Sequence, residues 1–408
     1  MKNFLIFIFS ICSIFCQKHD VYQGLSLPRL QKLQSVLSDY IKEKQICGMS
    51  VMIARHGKIV HFEQQGVAEV DGHHMQDNTI FRIYSMSKLI TSVAVMILHE
   101  EAKFQLYDPV SKFIPEFKKL KVFVAKTKDG IQVEDMKREP TIRDLLTHTS
   151  GLTYGYFATS PVDKMYVDAN ILDRNTSLKG FITKLTKFPL KHQPGSKWEY
   201  SISTDVLGYL VEVISGQSFD EFLRNRIFTP LEMKDTDFFV PQEKLGRFTA
   251  LYTMKDKKPQ IFDTRQGFFS KQPKFLSGGG GLVSTANDYM NFCTMFLQKG
   301  RFKNKQILGR KTVEFMMTNQ LSSAQLPFGT NRDMWGYGFG IGGAVVMDST
   351  KANTIISNGS FQWAGAASTF YTIDPKEDLV ALLFTQMLPF SNELGEKFRT
   401  LVYQTIAE

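Results

Sequence analysis

The chain has 408 residues, 43% of them hydrophobic and 12% aromatic, enough apolar mass to bury a large core in one big domain or two intimately packed ones. That composition excludes intrinsic disorder. The formal net charge is +9, but the excess lysines are scattered over loops such as "MKDKKPQ" from Met254 and form no stripe on a helical period, so they read as solvated surface and exclude a dedicated nucleic-acid binder.

The first residues, "MKNFLIFIFSICSIFCQKHD", run from one lysine through an apolar stretch, Phe4 to Phe15, to a polar exit. This is the layout of a secretory signal peptide. The stretch is too short to span a bilayer. Removal near Cys16 is expected, leaving residues 17–408 as the mature chain after a signal of residues 1–16; an uncleaved signal anchor is the alternative. No second long apolar run follows. No stable membrane span is therefore expected, and the protein is expected in the secretory lumen or outside the cell. Cys47 and Cys293 are the only cysteines of that mature chain, and a bridge between them or two buried thiols both remain open. The histidines are scattered and there is no HExxH or similar spacing, so no metal is expected.

Residues Pro28 to Lys44 carry helical periodicity, and "MSVMIARHGKIVHFEQQGVAEV" reads as two strands around the turn "RHGK". An apolar helix led by Ser85 follows, to about Leu98. From Glu101 to about Thr285 the pattern predicts mostly helices and long loops, broken at Pro140, Pro194, Pro230 and Pro241. Within it, "TIRDLLTHTSGL" predicts a helix from just after Pro140 to Gly151. "STDVLGYLVEVISG" predicts another, from a cap near Thr204 to Gly216, and "STANDYMNFCTMFLQKG" a third with Thr285 as N-cap and Gly300 as stop. The C-terminal part changes character. "WGYGFGIGGAVVM", "FQWAGAASTFYTID" and "DLVALLFTQML" read as strands, with Asp374 and Pro375 in a hairpin turn and a last helix from about Asn392. Strands near both ends of the chain imply one antiparallel sheet assembled from both, flanked by helices, with the helical middle inserted beside it. The fold class expected is α+β, an α/β sandwich.

The chemistry concentrates in "FRIYSMSKLITSVAVMIL", Phe81 to Leu98. Residues i and i+3 of a helix share a face and tilt toward its N-terminus, so Ser85 and Lys88 become neighbours at the opening of the helix. A serine hydroxyl needs a base before it is a useful nucleophile, and a lysine at the mouth of the core can be that base. The amide of a first-turn residue has no helical partner and is a ready donor to a developing oxyanion. S-x-x-K alone is common, as a serine cap beside a snorkelling lysine. What weighs against that reading is the apolar character of "LITSVAVMIL" on nearly every face. Ser87 has no assigned role.

The segment resembles the active-site segment of the serine β-lactamase-like superfamily, which holds class C β-lactamases, penicillin-binding DD-peptidases and related esterases. "LLTHTSGL", "PGSKWEYSISTDVLGYLVEVISG", "PLEMKDTDF", "SGGGGLVSTANDYMNF" and "FQWAGAASTFYTIDP" follow in the family's order and approximate spacing, from about Leu27 to the C-terminus. The resemblance implies a β-lactamase/transpeptidase-like fold, with a sheet part of about residues 27–82 and 300–408 and a helical part of about 83–299. It implies Ser85 as nucleophile, Lys88 as base, and Tyr200 as a general acid/base at the position of the family's second motif, where the usual Asn is replaced by Ile202. At the third motif Trp363 stands where a cationic residue is usual, followed by Ala364 and Gly365, and the Ala366 amide becomes the second oxyanion donor. Trp363, Gly365 and Tyr154 are the expected substrate contacts, with Tyr156, Phe361 and Trp335 as further apolar candidates.

Loss of the strand cation and of the Asn argues against efficient β-lactamase or DD-peptidase chemistry, and the motif pattern is similar to the family VIII carboxylesterases. The implied activity is a secreted serine hydrolase acting through an acyl-enzyme on a small ester or amide, without a cofactor. A β-lactamase or D-amino-acid peptidase on the same fold is the alternative, and a non-catalytic binding or self-assembling scaffold the alternative of another class. Nothing in the sequence sets the oligomeric state.

Overall fold

The computed structural model describes residues 20–69, 72–128, 130–156, 160–329 and 334–408. The expected signal peptide of residues 1–16 lies outside the described residues. Helix α1 (Leu27–Lys42) leads into strands β1 (Gly48–Arg55) and β2 (Lys58–Glu69). Helix α2 (Ser87–Glu100) follows a single 3-10 turn, Tyr84–Met86. The middle of the chain contributes α3 (Ile142–Leu146), α4 (Ser203–Ser215) and α5 (Ala286–Leu297). The remaining strands are β3 (Tyr337–Phe339), β4 (Ala344–Val346), β5 (Phe361–Gly365), β6 (Thr369–Asp374) and β7 (Leu379–Phe384), closed by helix α6 (Asn392–Gln404).

These strands form one antiparallel sheet in the order β3-β4-β5-β6-β7-β1-β2, with the short strand His73–His74 at its edge. The two ends of the chain meet where Leu379 pairs with Arg55 and Phe384 with Ser50. Period-two alternation divides β7 between two cores. Leu379, Ala381 and Leu383 pack with α1 and α6, while Val380, Leu382 and Phe384 pack on the other face with α2 and α5. Helix α2 is buried from Ser87 to Leu98. Each of its fully buried aliphatic side chains contributes about 1.5–3 kcal/mol, which fixes the helix as the axle of the molecule.

Several local readings are corrected. The helix expected from Pro140 to Gly151 is only Ile142–Leu146, capped by a Thr141–Asp144 capping box. It stops because His148 takes a left-handed φ of 56° and Gly151 one of 87°. Helix α4 starts one residue before the expected cap Thr204, with Ile202 at the cap, and ends at Gly216 with φ 72°. The segment read as helices and loops holds two hairpins, Lys121–Thr127 with Gly130–Asp135 and Leu251–Lys255 with Lys258–Asp263. The first is exposed along most of its length, so it carries no apolar alternation to be read. The two C-terminal segments "WGYGFGIGGAVVM" and "FQWAGAASTFYTID" each fold as two strands, turned at Gly342 and Ser368, both at positive φ. Cys47 and Cys293 are free thiols, which sets the bridge aside.

Candidate active site

Ser85, expected to lead the helix, sits instead in the 3-10 turn Tyr84–Met86, two residues before α2 begins at Ser87. The turn forces Tyr84 to φ 41°, a costly conformation for a residue with a Cβ. The Tyr84 phenol is held by burial well up its range, at about 12, despite the opposing charge of Arg82.

Lys88 is 1% exposed. Its ammonium nitrogen has three donors and three oxygens around it: Ser85 Oγ at 3.2 Å, Tyr154 Oη at 3.1 Å and the Gly279 carbonyl at 2.6 Å. This saturates the group and fixes Nζ against Ser85 Oγ. The Gly279 carbonyl is delivered by polar side chains of α2 itself. Ser87 Oγ accepts from the Leu282 amide at 3.2 Å, and Thr91 Oγ1 donates to the Gly278 carbonyl at 2.8 Å. Ser87 thereby gains a role in binding the glycine segment to the helix.

The same segment is gripped from the opposite side by Asp205, fully buried at the head of α4. Its Oδ1 accepts from Ser277 Oγ at 2.5 Å and from the Gly279 amide at 3.0 Å. A Cβ on Gly279 would lie 2.6 Å from Asp205 Oδ2 and 2.8 Å from Tyr154 Oη, so glycine is required for the packing. Burial pushes the Asp205 carboxyl above its ordinary range, against the Ser277 bond, the Lys88 charge and the Gly279 amide. Burial, then Asp205, also pushes the Tyr154 phenol well above its ordinary range, so it stays protonated.

Tyr200 meets Lys88 with its ring face, Nζ standing 4.6 Å from the centroid. Its hydroxyl instead accepts from Trp363 Nε1 at 3.3 Å. An aromatic box holds that ring: Trp198 stacks at 6.0 Å, His148 tilts at 5.0 Å and Trp363 at 5.6 Å. His148 accepts from the Ser201 amide at 3.3 Å through Nδ1 and is kept neutral, first by burial and then by the Lys88 charge.

Strand β5 ends beside the Ser85 turn because Gly365 has no Cβ, which would otherwise meet the Ile83 carbonyl at 2.4 Å. Ala366 follows. Among the described residues neither the Ser85 nor the Ala366 amide donates a backbone hydrogen bond outside helix and strand pairing, and both residues line the two cavities that meet here. One cavity, of about 490 Å³, is walled by Tyr84, Tyr154, Tyr156, Phe269 and the glycine run. The other, of about 380 Å³, runs along β5 from Trp363 to Ala366 toward α6.

Of the sequence-derived candidates, Ser85, Lys88, Tyr154, Tyr200, Trp363, Gly365 and Ala366 therefore converge. Tyr154, expected as a substrate contact, is also the phenol hydrogen-bonded to Lys88. Phe361 does not reach the cleft, because it is buried against Phe296 and Tyr371. Trp335 is 53% exposed and lines neither cavity. Asp205, His148 and the Gly279 carbonyl were missed. The only signal for Asp205 was an acid in the first turn of an otherwise apolar helix.

A large antiparallel sheet between helices, with a buried Ser-x-x-Lys at the head of the central helix, is the β-lactamase and transpeptidase fold. The chain belongs to the Beta-lactamase family, whose model matches residues 33–403. It is 32% identical over 350 residues to Protein Rv1367c of Mycobacterium tuberculosis, covering 84% of this chain and 86% of the relative. It is 28% identical over 377 residues to Esterase EstB of Burkholderia gladioli, covering 87% and 89%. Among solved structures, EstCE1, described as a hydrolase with promiscuous acyltransferase activity, superposes with a TM-score of 0.78 at 26% identity, covering 92% of this chain and 98% of that one.

Proposed function

We propose that the protein is a serine hydrolase that cleaves carboxylic esters through an acyl-enzyme, in the secretory lumen or outside the cell. The observation that carries the reading is the 3.2 Å separation of Ser85 Oγ and Lys88 Nζ at the junction of two cavities. Ser85 Oγ bonds to the ester carbonyl carbon while its proton passes to Lys88 in its neutral form. The carbonyl electron pair moves to oxygen, where the Ser85 and Ala366 amides receive it. Collapse expels the alcohol oxygen, which takes the proton back. Water then attacks the acyl-serine, the same groups move its proton, and the acid leaves with Ser85 restored. Protonated Tyr154 keeps Lys88 oriented, and Tyr200 closes the other side of the amine.

Esters are favoured over β-lactams because Trp363 replaces the cation usual at the third motif and its indole N–H engages Tyr200. The names of EstB and EstCE1 support the same substrate class. With p-nitrophenyl acetate the wild type is expected to give a burst of one nitrophenol per active site, absent in Ser85→Ala. Wild-type protein that stays unlabelled by a fluorophosphonate overturns the reading, and nitrocefin turnover equal to ester turnover replaces esters by β-lactams. The secretory location rests on the layout of residues 1–16, and N-terminal sequencing of protein recovered from the medium tests it.

A further inference from the structure

The cavity along β5 contains a buried cation with no bonded counter-ion among the described residues. Arg399, on α6, is 9% exposed and lines this cavity together with Ser85. Among the described residues it makes no ion pair and no hydrogen bond, and its buried Nε has no acceptor. The Phe370 ring lies 5.9 Å from the guanidinium carbon, and Tyr337, Glu396 and Tyr403 act on its charge through space without bonding to it. The acid nearest in sequence is Glu396, which also lines the cavity. It is exposed, accepts from Asn392 at 2.7 Å and forms no ion pair with Arg399 among the described residues. Gln362 contributes a second orphan to the same wall, its buried side-chain oxygen lacking any partner. A half-turn of that amide would present its NH2 group instead.

A buried guanidinium without a counter-ion is expensive, and such groups persist where a ligand completes them. Its planar fork matches a carboxylate in two parallel bonds. The rest of the wall, Trp363, Ala364, Phe370 and Phe390, is apolar and suits the chain that joins that carboxylate to the reacting carbonyl. The opposite cavity also holds a guanidinium, Arg174, but that one is only half-buried and is engaged by the Phe269 ring at 4.7 Å. There Arg174 donates to the Phe268 carbonyl at 2.9 Å and Asp263 is paired with Arg82. Building on the ester-hydrolase reading, we infer that the substrate is an ester bearing a free carboxylate, such as a half-ester of a dicarboxylic acid, with the carboxylate bound by Arg399 and the ester carbonyl at Ser85.

Two substrate pairs test the inference. p-Nitrophenyl hemiglutarate against p-nitrophenyl pentanoate puts the charge on the acyl half; 4-carboxyphenyl butyrate against phenyl butyrate puts it on the alcohol half. One charged ester should exceed its uncharged partner at least tenfold in kcat/KM, mainly through KM. That ratio should fall to near one in Arg399→Gln and recover in part in Arg399→Lys. Equal rates in both pairs, or a preference that survives Arg399→Gln, overturn the carboxylate site while leaving ester hydrolysis intact. If no ester is turned over, the hydrolase reading fails, and calorimetric titration with glutarate decides the site alone. Binding to wild type that is lost in Arg399→Gln supports it, and no binding to wild type overturns it. Thermal melts establish that the variants fold, and should Arg399→Gln not fold, the wild-type ratios and Arg399→Lys decide.

Discussion

Arg82 and Lys88 are buried cations on either side of Ser85, and the protein treats them in opposite ways. Arg82 is fully neutralised. Its guanidinium donates to Asp263 Oδ2 at 2.8 and 3.2 Å and to the carbonyls of Thr249 and Thr264, and it lies 4.1 Å from the Phe248 centroid. Lys88 has no carboxylate within ion-pair distance among the described residues and is held by a hydroxyl, a phenol and a carbonyl. A cation tied to an anion is a structural bolt, because losing either charge strands the other in the core. A cation tied only to neutral dipoles has no bonded anion to strand when a proton moves. On the proposed mechanism, that difference separates the residue that holds the strand before Ser85 from the one that works on it.

The comparison breaks most sharply at Lys88. Lys88→Met is expected to lower ester turnover about 10³-fold or more, the scale for removing one member of a nucleophile–base unit. Its stability loss should stay near about 1–3 kcal/mol, for the Gly279 carbonyl left without its donor. Steady-state kinetics and a thermal melt on one sample check both. If stability collapses with activity, Lys88 is a bolt after all.

Arg82→Met should show the reverse emphasis, a stability loss of about 3–5 kcal/mol from the stranded Asp263 charge. The double variant with Asp263→Asn should recover part of that loss in a denaturant titration. Additive losses would mean that the pair is not the coupled unit described.

The smallest effect concerns the loop that presents Tyr154 to Lys88. Asp163 anchors it, accepting from Thr153 Oγ1 at 2.5 Å and pairing with Lys191 at 3.2 Å. Burial works to raise its pKa, but bonds from Thr153, Ser160 and Lys191 outweigh burial and bring it from 3.8 to about 2. The folded value is the lower one, so the stability it contributes is complete above the unfolded pKa and fades as pH falls from about 4 through about 2. Asp163→Asn should flatten the melting temperature over that interval. An identical acid profile for variant and wild type would remove Asp163 from the account.

How much of this was legible in the sequence varies with the kind of contact. The Ser85 and Lys88 pair could be read because i, i+3 geometry is local, and Trp363, Gly365 and Ala366 because the family's motif fixes their order. The exposed hairpin Lys121–Asp135 could not, because no face of it is buried and so no period is imposed on its residues. Tyr154 was visible as an aromatic near the site, yet its bond to Lys88 spans 66 positions and had no local signature.

By itself, then, the sequence determined the elements that burial marks in it: the apolar axle α2, the apolar strand β7, the caps at Thr285 and Gly216. It also determined the family, and with it the candidate nucleophile Ser85. Only the tertiary structure decided which oxygens saturate Lys88, that Ser87 and Asp205 hold the glycine segment from two sides, and that Arg399 faces the cavity without a counter-ion. Those facts depend on distances between residues tens to hundreds of positions apart. Hydrogen bonds and ion pairs depend on a few tenths of an ångström, which hydrophobic patterning does not encode.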